Sequence, residues 1–259
     1  MFDFRENDFL NDELKSQYIS YIFSCSIADI LKSQFIRPAF VSGYSMGIYA
    51  AMYYCGSVTF IDGLLLVKSA WENISGVAAT GKYGMGMIVG LIEPDILDLL
   101  HGTEDVRICN QNNPHTFIIS GKYDEVKRIL NSAKAEGALR TNMLPVSKPY
   151  HSGFLKNAVP GFSEIVRGIN FTDPAYRYIS NIDQKIINTG DGLIREVIDN
   201  LYSRMNWLDT MNMLLRQGVD IFFECGAGDG LTRNFRFIAG DFKSFSVNKL
   251  DQFIEAVSG

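Results

Sequence analysis

The stretch FVSGYSMGIYAAMYYCG, Phe40 to Gly56, constrains the fold more than any other part of the chain. An apolar run, AFVSG, leads into it, and MGIYAAMYYC, rich in the helix formers alanine and methionine, leads out. The pattern G-x-S-x-G therefore falls where a strand must turn at once into a helix. Gly43 and Gly47 are expected to clear space for so sharp a turn. Ser45 Oγ would then be exposed at its tip, with the Met46 N–H free to bind an oxyanion at the helix start. Such a turn belongs in an α/β architecture and makes Ser45 a candidate nucleophile. It activates nothing without a base.

The rest of the chain fits that architecture. From Asp8 to Gln34, apolar residues at Leu14, Tyr18, Tyr21, Ile22, Cys25, Ala28 and Leu31 recur in steps of three and four, which marks one helix face. A further helix begins at Thr59, with Asp62 at capping-box spacing. The segments 84–91, 94–100, 106–111, 115–121, 123–137 and 138–147 read strand, helix, strand, strand, helix, strand, the order of a ferredoxin-like unit. A helix from Ser152, a strand over 175–181, helices around 191–203 and 207–217, strands over 219–225 and at SFSV, and a last helix complete the pattern. The expected fold is an α/β-hydrolase-like, mainly parallel sheet with an inserted ferredoxin-like α+β subdomain. Residues 1–83 and 148–259 form the large part and 84–147 the small one.

Composition excludes several function classes. With 259 residues, of which 47% are hydrophobic, the chain can bury a sizeable core. A net charge of -5 and the lack of a long Lys/Arg cluster argue against nucleic acid as a partner. The acidic start MFDFRENDFLNDE is unlike a signal peptide, and no apolar run reaches membrane-span length, so a cytoplasmic protein without membrane attachment is expected. Cys25, Cys55, Cys109 and Cys225 are far apart, which suggests buried thiols rather than a metal site or disulfides. The cluster GAGDG after Cys225 lacks the setting of a dinucleotide site.

Three histidines are available as base. His101 ends a helix and His115 follows NNP at a strand start, so both read as surface or turn residues. His151 lies in LPVSKPYHSGFL, at the join between the small subdomain and the following helix, which Ser152 can cap. It is the best candidate base, leaving its alternative as a histidine satisfied by local backbone. Trp71 and Trp207 read as core residues, although Trp71 could line an apolar pocket, and Tyr150 could narrow it.

Taken together, GYSMGIYAAMYYCGSVTFIDGLLLV, NQNNPHTFIISG, LPVSKPYHSGFL, NIDQKI, NLYSRMNW and FFECGAGDGLTRNF resemble, in order from Asp8 to Val247, successive blocks of the malonyl-CoA:acyl carrier protein transacylase family. That family includes the acyltransferase domains of polyketide synthases. The resemblance implies that Ser45 is acylated by a coenzyme A thioester with His151 as base. The acyl group would then pass to the phosphopantetheine thiol of an acyl carrier protein, with no bound cofactor and no metal. It implies that the Asn200 backbone carbonyl orients His151, and that Gln17 and Asn112 line the substrate pocket.

The chain also departs from the family pattern. Tyr44 replaces the histidine that usually precedes the nucleophile, which reads as a packing change. Ala70 falls where the family has the arginine that pairs a malonyl carboxylate, and Thr116 falls where its assisting glutamine stands. Lys68 would lie on another helix face and Lys148 beyond a proline-bounded turn, so neither is expected to substitute. The family's G-Q-G-S motif, source of a second oxyanion donor, has no counterpart in MFDFRENDF. These departures imply a preference for uncarboxylated acyl groups. They leave two alternatives open: an acyl-carrier-protein hydrolase of the same family, and a non-catalytic carrier-protein-binding relative.

Overall fold

The computed structural model describes residues 12–248 and 253–254. Helix α1 (Glu13–Ser33) starts where Asp12 accepts a hydrogen bond from the Lys15 N–H, and buries Tyr21, Cys25, Ala28 and Leu31 on one face. The expected helical residues before Asp12, and MFDFRENDF, lie outside the described residues. Strand β1 (Phe40–Val41) leads into the Ser45 turn, followed by α2 (Gly47–Tyr54) and α3 (Phe60–Ala78). Thr59 and Asp62 form the reciprocal capping box expected at the start of α3.

The small subdomain comprises β2 (Tyr83–Val89), α4 (Glu93–Leu99), β3 (Val106–Asn113), β4 (Thr116–Lys122), α5 (Tyr123–Ala135) and β5 (Arg140–Met143). Its strands pair antiparallel in the order β3-β4-β2-β5, the ferredoxin-like arrangement expected. Ile88, Ile96, Val106, Phe117, Ile119, Val126 and Ile129 give it a core of its own. The last strand is shorter than the expected 138–147 because Pro145 has no N–H to offer the ladder.

In the large part, a 3-10 turn (Gly153–Ala158) precedes α6 (Val159–Arg167). The helix expected from Ser152 does not run through as one α-helix. Pro160 cannot donate to the carbonyl four residues back, so the regular ladder forms only past it. Ser152 gives no cap either: its hydroxyl donates to the Pro149 carbonyl at 2.6 Å. Strands β6 (Arg177–Ile179) and β7 (Ile186–Ile187) follow, then α7 (Gly190–Asp199), α8 (Trp207–Arg216), β8 (Ile221–Glu224), α9 (Gly230–Phe235) and β9 (Lys243–Ser246). The expected last helix falls beyond Asn248, where Phe253 and Ile254 are helical and the other positions lie outside the described residues.

Strands β1 and β6 run parallel, as do β8 and β9, while β7 turns back antiparallel on β6. Short as β1 and β6 are, helices cover them: Ile48 and Met52 of α2, Leu66 and Val67 of α3, Leu155, Phe162 of α6, Tyr178 of β6 and Leu193 of α7 share one buried core. Burying apolar side chains of this size stabilises by roughly 1.5–3 kcal/mol each. The β1–α2 turn is thereby held on a rigid support. Among the described residues, no helix is long and apolar enough to cross a membrane.

Candidate active site

The turn between β1 and α2 is strained, and its neighbours hold the strain in place. Ser45 has a φ of 52°, a left-handed conformation rare for a residue with a side chain. A Cβ at Gly43 would overlap the backbone of Ile48, so only glycine fits there. Gly47 differs from expectation. A Cβ there would meet nothing within 4 Å, so this glycine leaves open space above the helix start and is not needed for the turn to close. The Gly47 N–H donates to the Tyr44 carbonyl at 2.8 Å and the Ile48 N–H to the Ser45 carbonyl at 3.2 Å, whereas Met46 N–H makes no such bond among the described residues.

His151 meets this turn from the far side of the sequence. Its Nε2 lies 2.7 Å from Ser45 Oγ, and its Nδ1 lies 2.8 Å from the carbonyl oxygen of Asn200, the residue that ends α7. A carbonyl can only accept, so Nδ1 carries the proton and the Nε2 lone pair accepts from the Ser45 hydroxyl. His151 also has a positive φ, 55°, and its N–H donates to the Leu201 carbonyl at 3.2 Å. Ring and backbone are thus both fixed to the segment after α7. Burial pushes the imidazole down to about 4, with the Asn200 carbonyl acting in the opposite direction, so the ring is neutral at pH 7. His101 and His115 are exposed and stand away from this pair, His115 in the β3–β4 turn.

A second set of bonds fixes the turn itself. The Asn181 side-chain amide donates to the Gly43 carbonyl, and the Ser42 hydroxyl donates to Asn181 Oδ1 at 2.9 Å. The Asn181 N–H in turn donates to Glu196 Oε1 of α7 at 3.1 Å. Asn181 lies in the NIDQKI block, and nothing local in the sequence marks its part in the turn, since its partner stands 138 positions away.

Tyr44 also departs from the sequence reading. Its hydroxyl donates to Asn112 Oδ1 and accepts from Asn110 Nδ2, both at 2.9 Å, and its ring packs edge-on against Trp207 at 5.3 Å. This is a buried polar link between the two subdomains as well as packing, and it occupies the carbonyl oxygen of Asn112.

The remaining expected pocket residues divide. Gln17 Nε2 donates to the Tyr150 hydroxyl at 3.1 Å, and the Tyr150 ring lies 6.4 Å from that of His151, so these two adjoin the Ser45–His151 pair. Ala70 is buried in the main core and Trp71 is half-buried beside it. Thr116, buried at the start of β4, makes no side-chain hydrogen bond to the pair. Lys148 is not remote: it is buried, and its Nζ lies 5.2 Å over the ring of Trp71. The turn that was expected to hold it away instead folds it back onto α3. Cys25, Cys55 and Cys109 are buried as expected, whereas Cys225 is half-buried. Desolvation pushes Cys55 and Cys225 up to about 12, so neither is a ready thiolate.

A strained serine on a strand–helix turn, backed by a neutral, carbonyl-oriented histidine, is an arrangement in which a serine hydroxyl can be activated on an α/β scaffold. Residues 15–206 match the model of the family described as the acyl transferase domain, and the chain belongs to that family. It is 33% identical over 204 residues to the polyketide biosynthesis protein ThaF of Burkholderia thailandensis, covering 78% of this chain but only 17% of that much longer protein. To the malonyl CoA-acyl carrier protein transacylase of Synechocystis sp. it is 30% identical over 234 residues, 89% of this chain and 77% of the relative. Among solved structures, the acyl-carrier-protein S-malonyltransferase of Burkholderia pseudomallei superposes with a TM-score of 0.92 at 26% identity, covering 98% of this chain and 84% of that one. A malonyl-transacylase in complex with its type II PKS acyl-carrier protein superposes with a TM-score of 0.90 at 26% identity, covering 97% and 83%.

Proposed function

We propose that this chain transfers an acyl group from a coenzyme A thioester to the phosphopantetheine thiol of an acyl carrier protein through an acyl-Ser45 intermediate. The observation that carries the reading is the 2.7 Å contact of Ser45 Oγ with a His151 whose other nitrogen is bound by the Asn200 carbonyl. Oγ attacks the thioester carbonyl carbon while its proton moves to Nε2. The Met46 N–H stabilises the resulting oxyanion. Collapse breaks the carbon–sulfur bond, and the departing thiolate takes the proton from His151. The carrier-protein thiol then repeats these steps in reverse on acyl-Ser45, giving up its proton to Nε2 and restoring the serine.

The acyl group in this proposal is uncarboxylated. Ala70 offers no charge at the position where the family pairs a carboxylate, and an anion taken into a dry site without a partner is strongly disfavoured. Gln17, Trp71, Asn112, Thr116 and Tyr150 are proposed to border the chain, with Tyr150 closing its end.

Incubation with acetyl-, butyryl- or malonyl-coenzyme A, followed by intact-mass measurement, tests the reading. The wild-type protein is expected to gain one acyl mass that Ser45→Ala does not. Malonyl is expected to load at least about tenfold more slowly than acetyl, since a hydrogen bond to a charged group contributes about 1.5–3 kcal/mol. An adduct that persists in Ser45→Ala assigns the nucleophile elsewhere. Loss of the acyl mass to water in the absence of carrier protein identifies a hydrolase.

A further inference from the structure

Charges surround Tyr150 that acyl transfer at Ser45 leaves unused. Glu13 and Gln17, one turn apart on α1, both reach the segment before His151. Glu13 Oε1 accepts from the Tyr150 hydroxyl at 2.7 Å, and its Oε2 pairs with Lys148 Nζ. Gln17 donates to the same tyrosine hydroxyl at 3.1 Å. Lys148 is only 6% exposed and lies over Trp71, the residue that follows Ala70. A cation therefore does reach the stretch of α3 whose family arginine is replaced by alanine. Its charge, however, is already neutralised by a carboxylate that belongs to the same cluster.

We propose that Glu13 sets acyl specificity: by neutralising Lys148 and placing its own negative charge one hydrogen bond from Tyr150, it makes the acyl pocket reject carboxylated chains. The proposal rests on the acyl-enzyme reading above and deepens it. A carboxylate entering beside Tyr150 meets a cation that is already paired and an anion that repels it. Removing the Glu13 charge leaves Lys148 buried and unpaired, a state strongly disfavoured unless another anion takes the vacated place. The carboxylate of a malonyl group is an anion of the required kind. Lysine is a compact point charge and serves such a group without the fork geometry of arginine.

The test loads wild type, Glu13→Gln, Lys148→Met and the double variant from an equal mixture of malonyl- and acetyl-coenzyme A, reading the ratio of the two masses on the protein. Glu13→Gln is expected to raise the malonyl-to-acetyl ratio at least about tenfold, the change that 1.4 kcal/mol makes. Lys148→Met, which leaves Glu13 uncompensated, is expected to lower the ratio below that of wild type, and adding it to Glu13→Gln to abolish the gain. A ratio in Glu13→Gln within about twofold of wild type overturns the proposal while leaving the acyl-enzyme intact. Absence of any adduct on wild type overturns both. If circular dichroism shows Glu13→Gln unfolded, Lys148→Met decides, and a ratio equal to that of wild type overturns the proposal.

Discussion

His151 is held where a base is useful and where protonation is difficult. Its ring is desolvated, its Nδ1 proton faces a carbonyl, and its Nε2 faces a hydroxyl that must itself donate. Burial lowers the imidazole from its ordinary 6.5 to about 4. Acylation needs the neutral ring, so the rate of acyl-enzyme formation is expected to stay level from pH 8 down through the ordinary histidine range, then fall toward about 4. The same shift acts on stability with a defined sign. The unfolded chain binds the proton more tightly than the folded one, so this contribution is complete above 6.5 and is lost as pH falls through that window toward about 4. Single-turnover acylation followed across pH by rapid quench checks the first expectation. An acid limb centred at 6.5 or higher is incompatible with a desolvated base.

At the scale of elements, the strand–turn–helix unit is held from outside by the end of β6 and by α7. Asn181 takes the Gly43 carbonyl, and Glu196 and the Ser42 hydroxyl hold Asn181. Asn181→Ala leaves the Gly43 carbonyl buried without its donor, a loss of about 1–3 kcal/mol. Because the turn then loses the contact that fixes Ser45 against His151, acylation is expected to slow at least about tenfold while the far-ultraviolet spectrum stays native. Unchanged melting temperature and acylation rate would show that Asn181 does not fix the turn. How much of this could be read beforehand follows from what local sequence encodes. The β1–α2 turn, the Thr59 cap and the succession of strands and helices along the small subdomain depend on neighbours within a few residues, so they were legible. The pairing of His151 with the Asn200 carbonyl came through resemblance, because a backbone group leaves no mark of its own on the sequence. Asn181, the Tyr44 hydroxyl and the Glu13–Lys148 pair join positions far apart in the chain, and no periodicity announces them. Glu13 did carry one faint signal, its spacing of four residues from Gln17 on a common helix face.

Across the whole molecule, the small subdomain has its own core and meets the large part through polar contacts centred on Asn110. That residue donates to the Tyr44 hydroxyl and to Asn112 Oδ1, and it accepts from the Trp207 N–H at the start of α8. Its neighbour Cys109 accepts from the Met205 N–H, and Arg204 pairs with Glu93 of α4 at 2.8 Å. Tyr44 is adjacent to Ser45, so the same network ties the inserted subdomain to the β1–α2 turn. Buried networks of this kind stabilise as units, because each bond orients the next and an unpaired member is costly in a low-dielectric interior. Tyr44→Phe removes one hydroxyl and is expected to destabilise by about 1 kcal/mol. Asn110→Ala leaves the Trp207 N–H without its acceptor and removes the donor to the Tyr44 hydroxyl, which still donates to Asn112 Oδ1, and is expected to lose about 1–3 kcal/mol. Both single variants remove the same Tyr44–Asn110 bond and the double variant removes it only once, so the combined loss should fall short of the sum by more than about 0.5 kcal/mol. Urea unfolding of the four proteins in this cycle measures the coupling. Additivity within about 0.3 kcal/mol would mean that Tyr44 and Asn110 act independently and that the two subdomains are not joined through one cooperative link.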